Sequence, residues 1–147
     1  MTSTNHGEIL AIYLCSGTRE PMQTVGSAKV TNSGIDGDRH AVSDGARKNR
    51  QILIMDRETL DELGLNPGDV RENVTTVGID LSKLQQGHKV SLGDDVILSI
   101  TGPCAPCSRM DELRPGLQAE LVDRSGKLAF VVQGGAIQIG DHVELLS

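Results

Sequence analysis

Aromatic side chains are almost absent from this chain of 147 residues, which has one Tyr, one Phe and no Trp. Proteins that bind single-stranded nucleic acid stack the bases on aromatic side chains, and nucleic-acid surfaces in general carry a basic footprint. This chain lacks the aromatic platform and, with a net charge of −6, it lacks the basic footprint as well. We therefore expect no nucleic-acid partner, and a core built from Val, Ile and Leu.

Long apolar runs are missing too. The N-terminal sequence MTSTNHGEIL has no basic region, and the apolar stretch ILAIYLC at residues 9–15 is shorter than a signal peptide or a membrane span requires. Cysteine is scarce and odd in number, with three residues in the whole chain. These features predict a cytoplasmic protein without a membrane partner, in which the thiols stay reduced and no structural disulfide forms.

Linkers rich in Pro, Gly and Ser are also lacking, so we interpret residues 1–147 as a single domain. Runs of apolar and alternating residues predict strands at residues 8–15, 27–31, 51–56 and 71–78. Asp56 is placed to cap a short helix that buries Leu60 and Leu63 and ends at Gly64.

Two similar segments follow, KVSLGDDVILSI at residues 89–100 and AIQIGDHVELL at residues 136–146, and each has Gly-Asp between alternating apolar stretches. This pattern predicts a β-hairpin in both places. Several short strands with a few short helices indicate a mainly β protein. Closure of its sheet into a β-barrel would leave no exposed edge strand.

The stretch SITGPCAPCSRMDEL, residues 99–113, contains Cys104 and Cys107 in a CxxC pair. A zinc site would need further ligands, but Cys15 is distant in sequence and the four His residues occur singly. A thioredoxin-like site would need a long helix after the pair, whereas an Arg-Pro-Gly sequence stops this helix after about two turns. The remaining interpretations are two buried core residues, or one working thiolate at Cys107, favoured by the first turn of the short helix and by Arg109.

Four stretches carry further motifs in a fixed order along the chain: GIDGDRHA (34–41), RQILIMDRETLDELG (50–64), GDVRENVTTVGIDLSKLQQGHKVSLGDDVILSITGPCAPC (68–107) and GGAIQIGDHVEL (134–145). Together they resemble the MOSC domain, a module found at the C-terminus of molybdenum-cofactor sulfurases and in small stand-alone bacterial proteins. The likeness runs over nearly the whole chain, residues 8–146.

The resemblance implies a β-barrel fold and a molybdenum cofactor (molybdopterin), with Cys107 as the cysteine that ligates molybdenum or relays sulfur. It also implies that the loop around Arg39 and His40 faces the cofactor site, together with the strand that carries Arg71, Asn73 and Thr75. Because side chains alternate along a strand, we expect Arg71, Asn73 and Thr75 to share one face, opposite Glu72. Cys104 is included among the cofactor-site candidates, although its role does not carry over from the family.

Basic residues in the glycine- and charge-rich segment at residues 32–50 fit the same expectation. Five of them lie within twelve positions of an otherwise acidic chain: Arg39, His40, Arg47, Lys48 and Arg50. Arg guanidinium groups bind anions such as the phosphate of molybdopterin in a bidentate manner, although a solvated surface stays open as an interpretation for residues 47–50. Full-length sulfurases bind pyridoxal phosphate in a separate N-terminal domain for which this chain has no room, so we expect no pyridoxal phosphate.

The sequence is compatible with several functions. The protein either binds molybdenum cofactor through Cys107, as a reductase of N-hydroxylated compounds with a separate electron-donor protein, or carries sulfur for the cofactor as a persulfide on Cys107, with a sulfur donor as partner. In the second mode Cys104 would resolve the persulfide as a disulfide. The alternatives are a non-catalytic cofactor-binding or interaction module, and a thiol–disulfide protein that uses Cys104 and Cys107.

Overall fold

The computed structural model describes residues 6–15, 22–38, 51–103, 110–122, 124 and 126–146, which form eleven strands, three short α-helices and one 3-10 turn at Leu81–Lys83. The strands are β1 (His6–Leu14), β2 (Gln23–Val25), β3 (Ser27–Thr31), β4 (Gly34–Ile35), β5 (Ile52–Asp56), β6 (Val74–Val77), β7 (Lys89–Leu92), β8 (Val96–Pro103), β9 (Lys127–Gln133), β10 (Gly135–Gln138) and β11 (His142–Leu146). The helices are α1 (Arg57–Glu62), α2 (Met110–Leu113) and α3 (Leu117–Glu120).

Seven of the described strands close into a barrel in the order β11-β7-β8-β9-β5-β6-β1, and β1 pairs back with β11. The nine-residue β1 makes this closure possible because it has three partners along its length. Its first residues pair with β11, its middle with β6, and its last residues with β2. Most neighbours are antiparallel, whereas β5 and β6 are parallel and are joined through α1. The predicted mainly β barrel is confirmed.

A second, three-stranded sheet has the order β10-β3-β4. It corrects one of the two hairpin predictions, because β10 pairs with β3 and not with β11. The turn between β10 and β11 is bonded to β1 instead: the Ile9 N–H donates to the Asp141 carbonyl (2.8 Å), and the Gly140 N–H to the Ile9 carbonyl (2.9 Å). The first predicted hairpin is confirmed, with β7 and β8 paired through Leu92 and Val96.

The barrel interior is filled by aliphatic side chains, and Val30, Ile35 and Ile137 of the small sheet belong to the same buried cluster. A separate satellite core joins the helices to β5, and it contains Met55, Leu60, Leu63, Leu65, Val70, Met110, Leu117 and Leu121. This satellite core fixes α2 beside the segment that precedes β6.

The helix α1 follows the sequence prediction closely. The Asp56 carboxylate accepts a hydrogen bond from the Thr59 N–H (3.1 Å), which satisfies one of the free donors of the first turn. Leu60 and Leu63 are buried, and Gly64 adopts a φ of +71° that favours glycine. None of the helices in the described part of the chain is long and apolar enough to cross a membrane.

Candidate functional site

The segment before β6 differs from the strand predicted for it. That prediction began at Arg71, but β6 begins at Val74, and Arg71 has a φ of +63°, in the left-handed region. The expectation that Arg71, Asn73 and Thr75 share one strand face is therefore wrong. The Thr75 hydroxyl donates to the Glu72 carboxylate (2.7 Å), a residue that simple alternation placed on the opposite face. A residue with a left-handed φ interrupts the alternation of side chains between the two faces of an extended strand.

Asn73 is buried and ties several elements together through its amide. Its Nδ2 donates to the Tyr13 carbonyl (3.2 Å) and to Asp38 Oδ1 (3.0 Å), and its Oδ1 accepts from the Leu53 N–H (3.0 Å). Both amide hydrogens and one acceptor position are thus used within the protein. Asn73 holds together the end of β1, the start of β5 and Asp38.

Asp38 completes this junction. Its carboxylate is buried, and Oδ1 accepts a second hydrogen bond from the Cys15 N–H (2.7 Å). The end of β1 and the end of the turn after β4 are therefore joined by one carboxylate oxygen.

Arg71 lies next to this junction and contacts the Cys15 thiol. Its Nη2 donates to Cys15 Sγ over 3.0 Å, and Cys15 itself is buried. A guanidinium group keeps its charge at every relevant pH. The geometry places a permanent cation beside a buried sulfur atom, 56 positions away in the sequence.

Glu72 lies beneath the turn that presents Arg71. Its Oε2 accepts from the Gly68 N–H (2.9 Å) and from the Thr75 hydroxyl (2.7 Å), while no group of the described residues hydrogen-bonds the buried Oε1. Burial raises the pKa of the Glu72 carboxyl, an effect opposed by those two hydrogen bonds. The protonated form is thereby favoured relative to a carboxyl in water.

A cavity of about 460 Å³ opens on the outer side of this cluster. Its walls are formed by Tyr13, Met22, Pro67, Gly68, Asp69, Arg71, Met110, Glu112 and Leu113. This volume is within the usual range of small-molecule sites. The cavity therefore joins the end of β1, the turn before β6 and the start of α2.

Four predicted site residues, Arg39, His40, Cys104 and Cys107, fall outside the described residues, as do Arg47, Lys48 and Arg50. Two described residues close to them in the sequence lie at the cluster or at the cavity. Asp38, which directly precedes Arg39 in the sequence, is bonded to Asn73, and Met110, three residues after Cys107, lines the cavity with Arg71. Of the predicted residues that the structure describes, it places Arg71 at the cavity, and Asn73 and Thr75 in the buried network behind it.

The sequence interpretation missed Tyr13, Cys15, Asp38 and Glu72. Cys15 and Asp38 reach the cluster through contacts between residues far apart in the chain, such as the Cys15–Arg71 pair, whereas the hydrogen bonds of Glu72 are to Gly68 and Thr75, close by in the sequence. The one local signal was Glu72 itself, a charged residue two positions before the apolar and β-branched residues of β6. Within the described residues no group of three or more His, Cys, Asp or Glu side chains is arranged to hold a metal ion.

A comparison with protein families places this chain in a known family. The model of the MOSC domain matches residues 36–144, so this chain belongs to the MOSC domain family. That family is associated with molybdenum-cofactor binding.

Solved structures share the fold. The YUAD protein from Bacillus subtilis superposes with a TM-score of 0.84 at 22% identity, covering 99% of this chain and 98% of that one. YiiM from Geobacillus stearothermophilus superposes with a TM-score of 0.73 at 18% identity, covering 95% of this chain and 75% of that one. YiiM from Escherichia coli superposes with a TM-score of 0.69 at 19% identity, covering 95% of this chain and 70% of that one. A comparison with curated protein sequences finds no match.

Proposed function

We propose that this MOSC protein binds molybdenum cofactor, with the Cys107 thiolate as the ligand of molybdenum. The observation that carries the proposal is the position of Arg71 on a cavity whose wall also includes Met110, three residues beyond Cys107. A second support is Asp38, which is fixed in the same cluster and directly precedes Arg39 and His40.

The described residues fit the chemistry of this cofactor. Molybdopterin carries a phosphate, and a guanidinium group at a cavity wall is a suitable partner for a phosphate. We assign that role to Arg71, while Arg39 and His40 stay predicted contacts. The predicted cofactor contacts of Asn73 and Thr75 also stay predictions. Their hydrogen bonds in the structure support an indirect role, in which they hold the turn that presents Arg71.

Bound molybdenum would supply two-electron reduction, and we propose N-hydroxylated compounds as the substrates. Such a reaction takes two electrons and two protons and releases water. The electrons would come from a separate electron-donor protein. Persulfide transfer through Cys107, with Cys104 as the resolving thiol and a sulfur donor as partner, is the second mode of the same site.

Molybdenum content tests the proposal first. The protein is purified from a host that makes abundant cofactor, beside Cys107→Ala and Cys104→Ala, and the metal is measured by elemental mass spectrometry. We expect close to one molybdenum per chain in the wild type and in Cys104→Ala, and its loss in Cys107→Ala. Absence of molybdenum from all three proteins would overturn stable cofactor binding. Cyanide-labile sulfur on Cys107 would then favour sulfur carriage, and its absence a thiol–disulfide or non-catalytic role.

Arg71 has a matched control in Arg57, a half-exposed residue of α1 whose one described ion pair is with Asp61. Arg71→Ala should lower the molybdenum content about tenfold or more, because a charge-assisted hydrogen bond to a phosphate contributes about 1.5–3 kcal/mol. Arg57→Ala should retain the wild-type content. Equal metal content in the two variants would remove Arg71 from the cofactor site.

A further inference from the structure

Cys15 lies directly after β1 and contacts two of the groups that shape the candidate site. Its backbone N–H donates to Asp38 Oδ1 (2.7 Å), and its sulfur accepts a hydrogen bond from Arg71 Nη2 (3.0 Å). The side chain is buried, with 1% of its surface exposed. Cys15 therefore links Arg71 to the residue that directly precedes Arg39 in the sequence.

The place of the Cys15 sulfur is fixed by the backbone around it. β1 pairs with β2 up to its last residue, and the Tyr13 N–H donates to the Asn73 carbonyl (2.7 Å). The bond from the Cys15 N–H to Asp38 holds the next step of the chain. The short Cys15 side chain is thus a fixed acceptor, whereas Arg71 is a long side chain with many rotamers.

Arg71 has an unusual backbone conformation as well. Among the described residues it is the one non-glycine residue with a positive φ, +63°. Such a conformation persists where the surrounding contacts hold it, and it is common at functional sites. Arg71 also forms part of the cavity wall. The backbone and the sulfur contact therefore act together on a side chain that faces a possible ligand.

The chemistry of the pair suits orientation of a guanidinium group. That group is planar and rigid, with its N–H donors in fixed directions. A hydrogen bond from Nη2 to a fixed sulfur atom therefore restricts the orientation of the whole plane. Sulfur is a weak acceptor, so Cys15 can orient Arg71 without replacing an anion as its stronger partner.

We infer that Cys15 is a positioning residue of the anion site, and that its sulfur holds the Arg71 guanidinium in the orientation that binds a phosphate group at the cavity wall. The inference rests on the proposed function, because the phosphate in question is that of the cofactor. Binding of inorganic phosphate tests the role of Cys15 without molybdenum.

The test is a calorimetric titration of the full chain with inorganic phosphate. Cys15→Ala removes the sulfur acceptor, Cys15→Ser retains an acceptor atom, and both keep the backbone N–H that bonds Asp38. We expect Cys15→Ala to raise the Kd for phosphate about fivefold, because the Arg71 side chain must then be ordered during binding. Cys15→Ser should recover most of the wild-type affinity.

Two further comparisons separate orientation from packing. Ile12→Val removes one buried methylene from the same strand, and Ile12 does not line the cavity. This control should lower stability without changing the Kd for phosphate. In the Arg71→Ala background, Cys15→Ala should have no further effect on the Kd, because no guanidinium is left to position. Urea unfolding shows that each variant is folded.

Three results would overturn the inference: unchanged or tighter phosphate binding in Cys15→Ala, equal weakening in Cys15→Ala and Cys15→Ser, or further weakening by Cys15→Ala in the Arg71→Ala background. Absent phosphate binding, or binding that does not depend on Arg71, would overturn it too.

Failure of the proposed function gives a different pattern. In that case molybdenum would be missing from the purified wild type while the phosphate affinities kept the expected order. Molybdenum that is bound and depends on Arg71, together with a phosphate affinity indifferent to Cys15, would leave the proposed function standing and remove this inference alone.

Discussion

Glu72 is a fully buried acid, and its two carboxyl oxygens differ in their hydrogen bonds. Oε2 accepts hydrogen bonds from Gly68 and Thr75, whereas Oε1 is buried and has no hydrogen-bond partner among the residues that the structure describes. An ionised carboxylate would leave that oxygen charged and unsolvated, a costly arrangement in a protein interior. Burial therefore favours the protonated form of Glu72 relative to a carboxyl in water.

A pH dependence of stability follows from this arrangement. Because burial raises the pKa of Glu72, the folded protein holds the proton more tightly than the unfolded chain does. This stabilisation is complete below the unfolded pKa of about 4.3 and is lost as the pH rises through the folded pKa. Glu72→Gln keeps an acceptor for Gly68 and Thr75 but does not titrate, so we expect it to become more stable relative to wild type as the pH rises.

Urea unfolding of both proteins at a series of pH values from about 4 to about 8 measures this difference. The Asp56 carboxyl, whose pKa burial also raises, is present in both proteins, so its contribution cancels from the comparison. A difference in the free energy of unfolding that stays constant across the series would show that Glu72 titrates alike in the folded and unfolded states.

At the scale of elements, the site is a junction and not a single strand face. Asn73 bonds the backbone of β1 at Tyr13 and that of β5 at Leu53, and it also bonds the Asp38 carboxylate. The turn before it is closed by the Arg71 N–H donating to the Gly68 carbonyl (3.0 Å). Together these bonds place Arg71 at the edge of the barrel, where β6 has not yet begun.

Removal of the Asn73 amide should therefore destabilise the whole junction. Asn73→Ala leaves the Leu53 N–H and the Tyr13 carbonyl without their partner, and each buried group left unsatisfied costs about 1–3 kcal/mol. We expect the free energy of unfolding to fall by about 3 kcal/mol in denaturant titration. Asn66→Ala, at an exposed position seven residues earlier, should change it by less than about 0.5 kcal/mol. Similar values for the two variants would show that the Asn73 bonds contribute little.

At the scale of the whole molecule, the protein has two apolar cores with different tasks. The barrel interior holds the seven strands together, whereas the satellite core attaches α1, α2 and α3 to β5. Met110 belongs to the satellite core and also lines the cavity. The position of the cavity wall thus depends on the packing of the helices on the barrel.

Leu98 and Leu113 distinguish the barrel interior from the surface. Leu98 is fully buried in the barrel, and Leu98→Ala should lower the free energy of unfolding by about 2–5 kcal/mol because it leaves a cavity. Leu113 is 54% exposed, and the same substitution there should cost less than about 0.5 kcal/mol. Thermal and denaturant unfolding of both variants measures the contrast. A small loss for Leu98→Ala would mean that the barrel interior collapses around the missing side chain.

Signals from residues close together in the sequence were sufficient to predict much of this architecture. Residues 27–31 have the alternation of a strand and form β3, Asp56 caps α1 as its side chain predicts, and Gly64 ends that helix. The motif order along the chain was sufficient for the MOSC assignment, which the family comparison confirms. These local features can be predicted from the sequence because capping, helix ending and alternation depend on residues a few positions apart.

The tertiary structure alone decided which strands pair and which polar groups meet. The repeated Gly-Asp pattern is a hairpin at residues 93–95, but after β10 the same residues lead the chain from one sheet to another. Likewise the RENVTT segment reads as one continuous strand, although Arg71 leaves the extended conformation and turns to Cys15. Partners separated by tens of residues are selected by the closure of the barrel and by the burial of polar groups that must be satisfied, and neither is visible in a local window of sequence.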